Sequence, residues 1–344
     1  GQHVAALAKD LRTGEAFKIR AKVFINCTGP FADHIRLKAN PQLSERIRPS
    51  KGVHAILPYE VLGGDDALLI PKTPDGRVVF AIPFQGRLML GTTDNDYDQL
   101  SEEPILEGKE VEVLLETLNP YLDEASSHAQ VRAGFGGLRP LIAADPSQGT
   151  KGLVRDHEVE HDGTSNLVSL LGGKWTTYRL MAKDTIDFVG EHLLGEERPC
   201  ITDQQILVGG EGYSDDQWQA LQSQSGLEED ICRHLNQHYG SAAQGVLDVL
   251  SESESYRERL LDGHPYMLGE VVYSTRYEMA CTVRDFLARR TRLEILDWDA
   301  AQQVAGKVAH AMGGELGWDE AQQLREAEQY IELLYRFREE AQVG

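Results

Sequence analysis

The apolar positions divide the chain into a strand-rich first part and a helical last part. Residues 4–10 and 16–19 flank Arg12-Thr13-Gly14-Glu15 and read as a hairpin. Ala21-Lys22-Val23-Phe24-Ile25-Asn26-Cys27 is an apolar strand running into Thr28-Gly29-Pro30. Residues 48–97 read as an antiparallel β region, with candidate strands at 54–57, 67–70, 78–83 and 88–92. Thr73-Pro74-Asp75-Gly76 has the chemistry of a turn between the second and third of these, and Gly91-Thr92-Thr93-Asp94 closes the last. At 110–118 the spacing predicts a short amphipathic helix with Val111, Leu114, Leu115 and Leu118 on one face, ended by Asn119-Pro120. Gly134-Phe135-Gly136-Gly137-Leu138-Arg139-Pro140-Leu141 reads as a glycine-rich turn carrying one arginine. Leu167-Val168-Ser169-Leu170-Leu171 reads as a buried strand, followed by Gly172-Gly173 and a helix over 178–194 whose buried face would use Met181, Ile186 and Val189.

Beyond about Thr202 the period becomes helical. Gly209-Gly210-Glu211-Gly212 reads as a linker, and Gly240 stops a helix over 227–239. Asp297 is placed to cap a helix in which Ala301, Val304, Ala305, Val308, Ala309 and Met312 keep the i, i+3, i+4 rule, with Gly313-Gly314 as its expected end. A last helix, from about Asp319, would bury Leu324, Ala327, Ile331, Leu334 and Tyr335.

Composition narrows the class. With 344 residues, 41% hydrophobic and 26% charged, the chain has the make-up of a globular protein with room for two or three packed units. No apolar run approaches the ~18–20 residues of a membrane span. A net charge of −21 argues against nucleic acid and against broad docking to anionic lipid, but leaves a local peripheral contact open. Cys27, Cys200, Cys232 and Cys281 are far apart with no CxxC pair, which fits a reduced, cytosol-like compartment and no metal site. The first residues lack the charged start and apolar core of a secretory signal.

The sharpest chemical signal is the junction Gly172-Gly173-Lys174-Trp175-Thr176-Thr177-Tyr178-Arg179. A strand–Gly-Gly–helix junction presents backbone N–H groups at a helix start, and Lys174 adds a positive charge there. A nucleotide-hydrolase phosphate loop would need glycine at 168 and Ser or Thr after the lysine, but Val168 and Trp175 occupy those places. On local pattern alone, a plain strand-to-helix turn with a solvated lysine accounts for the stretch. His54 alone would be a strand histidine, and an arginine in a glycine-rich turn commonly caps nearby carbonyls. Arg289, Arg290 and Arg292 read as a solvated helix end. G-x-G-x-x-G is absent, because Arg139 stands where Gly134-Phe135-Gly136 would need its third glycine. Gly1 falls inside what reads as the opening hairpin. The expectation is therefore a fragment lacking an N-terminal nucleotide-binding half, one that alone holds FAD weakly or not at all.

Four separated segments in one order resemble the FAD-dependent glycerol-3-phosphate dehydrogenases. They are Lys51-Gly52-Val53-His54, Gly91-Thr92-Thr93-Asp94, Gly137-Leu138-Arg139-Pro140-Leu141 and the Gly172–Arg179 stretch, with Val154-Arg155-Asp156-His157 between the last two. Glu278-Met279-Ala280-Cys281-Thr282 and Arg289-Arg290-Thr291-Arg292-Leu293 extend the similarity toward the mitochondrial-type branch. The resemblance implies an α+β fold: a remnant of an FAD-binding domain over 1–40, an antiparallel substrate-binding domain over 41–135, a return to the FAD domain over 136–201, and a helical C-terminal domain over 202–344. It implies oxidation of sn-glycerol 3-phosphate to dihydroxyacetone phosphate, with FAD as cofactor and a quinone as electron acceptor. His54 is then the candidate base, Arg139 and Arg155 hold the substrate phosphate, and Lys174 steers the substrate oxygen or stabilises charge at the flavin. Thr28, Gly29, Gly137, Gly172, Gly173, Lys174, Thr176 and Thr177 would contact the flavin cofactor. A homodimer and a cytoplasmic location, or a peripheral one on the inner membrane, fit the same family. The competing expectations are an oxygen-using glycerophosphate oxidase, a related flavin amine or hydroxy-acid oxidase, and a catalytically silent truncated domain.

Overall fold

The computed structural model describes residues 4–71, 73, 76–100, 103–143 and 156–342. In chain order the strands are β1 (Val4–Lys9), β2 (Ala16–Ala21), β3 (Phe24–Asn26), β4 (Ile47–Pro58), β5 (Leu68–Ile70), β6 (Val79–Phe84), β7 (Arg87–Gly91), β8 (Asn95–Asp96), β9 (Ala133–Ile142), β10 (His157–Asp162) and β11 (Leu167–Gly172). The helices are α1 (Ala32–Ala39), α2 (Gly108–Leu118), α3 (Tyr178–Val189), α4 (Trp218–Ser225), α5 (Glu229–Tyr239), α6 (Ala243–Leu250), α7 (Leu268–Tyr277), α8 (Leu293–Leu296), α9 (Trp298–Leu316) and α10 (Glu320–Gln342). The fold is mixed α+β and falls into two compact units.

The first unit comprises Gly1–Gly52, Thr93–Pro104 and Gly136–Gln205. Here β1 and β2 form the expected antiparallel hairpin, Val4 facing Ala21. A three-stranded sheet follows the order β10-β11-β3, with β10 antiparallel and β3 parallel to β11. Its central strand, β11, is buried at Leu167, Val168, Ser169 and Leu171. Asn26, buried at the end of β3, donates through Nδ2 to the Ala32 carbonyl at 3.0 Å and to Ser169 Oγ at 3.2 Å. That pair of bonds holds the strand end and the start of α1 against β11, satisfying a polar group that would be costly to bury alone. Arg36 on α1 is bridged to Glu160 on β10 at 2.8 Å.

Val53–Thr92, Ile105–Phe135 and Ile206–Gly344 make up the second unit. Its strands pair antiparallel in the order β5-β6-β7-β4. His54 stands opposite Gly91, and Phe80 is also opposite Gly91. The core is continuous from Val53, Leu88, Leu90 and Leu114 to Val271, Phe286, Trp298, Val308 and Leu334. The helices after residue 206 share this compact unit with the antiparallel sheet, and α9 and α10 complete the core that the sheet and α2 begin. Among the described residues of 215–335, the only bridge-type pairing is Arg259 with Met267.

Three local expectations are corrected. The glycine-rich stretch at 134–141 is not a turn: it lies inside β9, which pairs with β4. Glycine here serves close approach, since a Cβ on Gly134 would stand 2.9 Å from the His54 carbonyl oxygen. Helix α9 runs through Gly313-Gly314 and ends at Gly317, whose φ of 69° is the left-handed stop. Of the faces expected to be buried, Ile186 on α3 and Leu324 and Tyr335 on α10 are exposed, and α10 instead buries Ala327, Tyr330, Leu334, Phe337 and Ala341. The expected turn at 73–76 keeps its closing bond, Gly76 N–H to Thr73 O at 2.8 Å, while Pro74 and Asp75 lie outside the described residues.

Candidate functional site

In the first unit, a cavity of about 640 Å3 gathers two stretches that are far apart in the chain. Ile25, Cys27 and Gly29 come from the end of β3, and Gly172, Gly173, Lys174 and Trp175 from the end of β11; Leu138, Pro140 and the inner face of α3 complete the lining. Parallel pairing of β3 with β11 produces this juxtaposition, because both strands then deliver their following turns to the same end of the sheet.

The turns themselves are glycine-built. Gly29, Gly172 and Gly173 have φ of 59°, 68° and 82°, a region other residues rarely adopt. At Gly172 a Cβ would also meet the Asp156 carbonyl oxygen at 2.6 Å. The junction presents fewer N–H groups than its pattern suggests: Gly173 N–H bonds the Asp156 carbonyl at 3.2 Å, and Thr177 N–H bonds Lys174 O at 3.0 Å. Lys174 is extended rather than helical, exposed, and the one charged side chain among the described residues that line the cavity. Trp175 is 85% exposed and stacks on Tyr178 with ring centroids 5.3 Å apart. Desolvation pushes the Cys27 thiol up from its ordinary value. An apolar cavity rimmed by three positive-φ glycines and one cation suits a large, flat, partly anionic group such as a flavin nucleotide.

Arg139 lies on the same unit's part of β9. Its Nη2 donates to the Thr93 carbonyl at 3.1 Å, and its Nη1 approaches Asp94 Oδ1 at 3.4 Å. The guanidinium rests against Gly52, where a Cβ would be only 2.7 Å from Cζ. Asp94 is itself engaged by the Ser50 hydroxyl.

In the second unit, His54 stacks on Phe135 with centroids 4.9 Å apart and planes 15° from parallel. Gly91 faces its ring, and a Cβ there would sit 2.7 Å from Nε2. His54 is half-buried on β4.

The structure therefore gathers Gly29, Gly172, Gly173 and Lys174 around one cavity. Thr28, Gly137, Thr176 and Thr177 do not line it: Thr28 Oγ1 turns to Asn26 Oδ1 at 2.7 Å, and Thr177 Oγ1 to Lys174 O at 3.1 Å. Arg155 lies outside the described residues. Sequence reasoning missed Cys27, Trp175 and Tyr178 as cavity-lining residues and gave no role to Gly52, Gly91, Asp94 or Phe135. The Gly-Thr-Thr-Asp segment was visible, but nothing in its spacing pairs Asp94 with Arg139.

Comparison with known proteins bears on this geometry. Residues 1–187 match the family model for FAD dependent oxidoreductases, and residues 200–323 match the model for the C-terminal domain of alpha-glycerophosphate oxidase. A probable mitochondrial glycerol-3-phosphate dehydrogenase of Dictyostelium discoideum is 36% identical over 338 residues, covering 95% of this chain and 52% of that protein. Its counterpart in Caenorhabditis elegans is 38% identical over 345 residues, covering 97% of this chain and 47% of that protein. The crystal structure of the glycerol-3-phosphate dehydrogenase from Bacillus halodurans, complexed with FAD, superposes with a TM-score of 0.82 at 29% identity, covering 97% of this chain and 66% of that one. The chain spans about half the length of these two curated relatives.

Proposed function

The chain belongs to the FAD dependent oxidoreductase family, and from that premise we propose that it is part of an FAD-dependent glycerol-3-phosphate dehydrogenase. The reaction is oxidation of sn-glycerol 3-phosphate to dihydroxyacetone phosphate, with electrons passed on to a quinone. One observation carries the reading: the turns after β3 and β11, rich in positive-φ glycine, meet around an apolar cavity with a single lysine. Gly29, Gly172, Gly173 and Lys174 would hold the FAD.

Oxidising the secondary alcohol removes a hydride from carbon and a proton from the hydroxyl. FAD, when bound, supplies the hydride acceptor. His54 takes the hydroxyl proton, since a neutral imidazole is a competent base near pH 7. Phe135, stacked on the ring, restricts its rotation. Arg139 and Arg155 bind the phosphate dianion through planar donors matched to its oxygens. Lys174 steers the substrate oxygen or balances charge at the flavin. Among the described residues no helix is long and apolar enough to cross a membrane, and a peripheral membrane contact is the proposed route to a quinone.

The test uses the full-length, FAD-loaded protein. Anaerobic addition of glycerol 3-phosphate should bleach the oxidised flavin band, and a soluble quinone should restore it. A flavin that stays oxidised in saturating substrate would sink the reading. The match of residues 200–323 to a model named for an oxidase favours one second reading, oxygen as acceptor. Reoxidation faster with oxygen than with quinone would select it.

A further inference from the structure

We propose that Asp94 is a positioning residue that sets the direction of the Arg139 guanidinium. The proposal rests on the reading above, in which Arg139 binds the substrate phosphate.

An arginine on an ordinary strand face carries a long side chain with many rotamers, and its head group is set only by what surrounds it. For Arg139 the surroundings include two short stretches. Behind the guanidinium is Gly52, which has no side chain to displace it. Beside it are the Thr93 carbonyl, 3.1 Å from Nη2, and the Asp94 carboxylate, 3.4 Å from Nη1. Asp94 is fixed in turn from β4, by the Ser50 hydroxyl donating to Oδ1. Its side chain is 17% exposed against 35% for Arg139, so the carboxylate is the more fixed member of the pair. A separation of 3.4 Å is long beside the 2.8 Å of the Arg36–Glu160 pair in the same unit. Such a charge-assisted contact orients the guanidinium.

The experiment uses the full-length, FAD-loaded protein and two independent readouts. Phenylglyoxal labelling of the peptide containing Arg139, followed by mass spectrometry, reads guanidinium restraint without any substrate. Steady-state kinetics with glycerol 3-phosphate read function. Asp94→Ala should label Arg139 about fivefold faster and raise KM about five- to tenfold, more than it lowers kcat, in line with loss of one charge-assisted contact. Asp94→Asn, which keeps an acceptor oxygen, should recover most of both effects. In an Arg139→Ala background, adding Asp94→Ala should change KM less than about twofold, because the carboxylate then has nothing to orient. Unchanged labelling, or KM effects that simply multiply, would overturn the proposal. If Asp94→Ala does not fold, Ser50→Ala takes its place, with a smaller rise in labelling expected and no rise overturning the idea. Should wild-type protein fail to oxidise glycerol 3-phosphate, the functional reading falls, while the labelling still decides whether Asp94 holds Arg139.

Discussion

At the scale of single residues, the proposal that matters most is Arg139 on the substrate phosphate. A charge-assisted contact of this kind contributes about 1.5–3 kcal/mol. Arg139→Ala in the full-length protein should therefore raise KM for glycerol 3-phosphate by about one to two powers of ten. Lysine at 139 should rescue only part, since it keeps charge but loses the planar fork. Glycerol, lacking the phosphate, should lose little further rate, and the flavin spectrum should stay normal. Loss of flavin or of folding, with KM intact in what remains folded, would make the arginine structural. The candidate was named from the sequence, but what sets its direction was not. A tight turn would have fixed it locally; instead Arg139 lies in β9 and is held by Gly52, Thr93 and Asp94. Asp94 stands 45 positions away in sequence, a distance that no local pattern reports.

The period gave the buried face of α9 but not all of those of α3 and α10, and single glycines were poor guides to where elements end. The buried face of α9 is the expected one, and Asp297 caps it by accepting from Ala300 N–H at 3.0 Å. Its end was misplaced because Gly-Gly resembles a stop, whereas only Gly317 has a positive φ. Two substitutions separate these possibilities. Gly314 is exposed inside the helix with open space around it, so Gly314→Ala should stabilise by about 0.5–1 kcal/mol. Gly317→Ala must take φ of 69° and should destabilise by about 1 kcal/mol or more. Denaturant midpoints at constant slope check both, and the opposite ordering would return the helix end to Gly313-Gly314. A second element-level expectation concerns Glu270 on α7. It is fully buried and accepts from His234 Nε2 at 2.7 Å, Tyr239 OH at 3.1 Å and Met267 N–H at 2.7 Å. Burial pulls its carboxyl upward, but His234 and the hydrogen bonds outweigh that, and the net shift is downward. Burial also pushes the Tyr239 hydroxyl well up, so this donor stays protonated. A carboxyl lowered in the folded state stabilises the fold above its unfolded value, near the ordinary 4.5, and loses that stabilisation as pH falls through the folded value. The stability gap between wild type and Glu270→Gln should therefore be full at pH 6–7 and shrink as pH falls below about 4.5. A gap constant from pH 7 to 3 would show that the network does not depend on the ionised carboxylate.

For the whole molecule, period indicated a strand-rich first part with helices after about residue 202, the family resemblance implied an α+β fold, and such a chain is what the structure contains. How those helices are stabilised was not legible. The core of the second unit joins Val53, Leu88 and Leu114 to Trp298, Val308 and Leu334, and α2 packs on α10. Residues 206–344 expressed alone should therefore expose apolar faces of α9 and α10. The expected result is dye binding typical of loosened cores, with a shallower denaturant transition than in the intact chain. A sharp transition at the midpoint seen in the intact chain would show that the helices fold without the sheet. By itself the sequence determined many of the strands and helices, the cap at Asp297, and which residues carry positive charge beside glycine-rich backbone. These properties depend on neighbours within a few positions, so the residue order contains them. Only the tertiary structure decided that β3 runs parallel to β11 and brings Gly29 to Lys174, that β9 is a strand, and that Asp94 meets Arg139. Each of those depends on long-range pairing, where the gain of burying one shared core selects a register that no local stretch specifies.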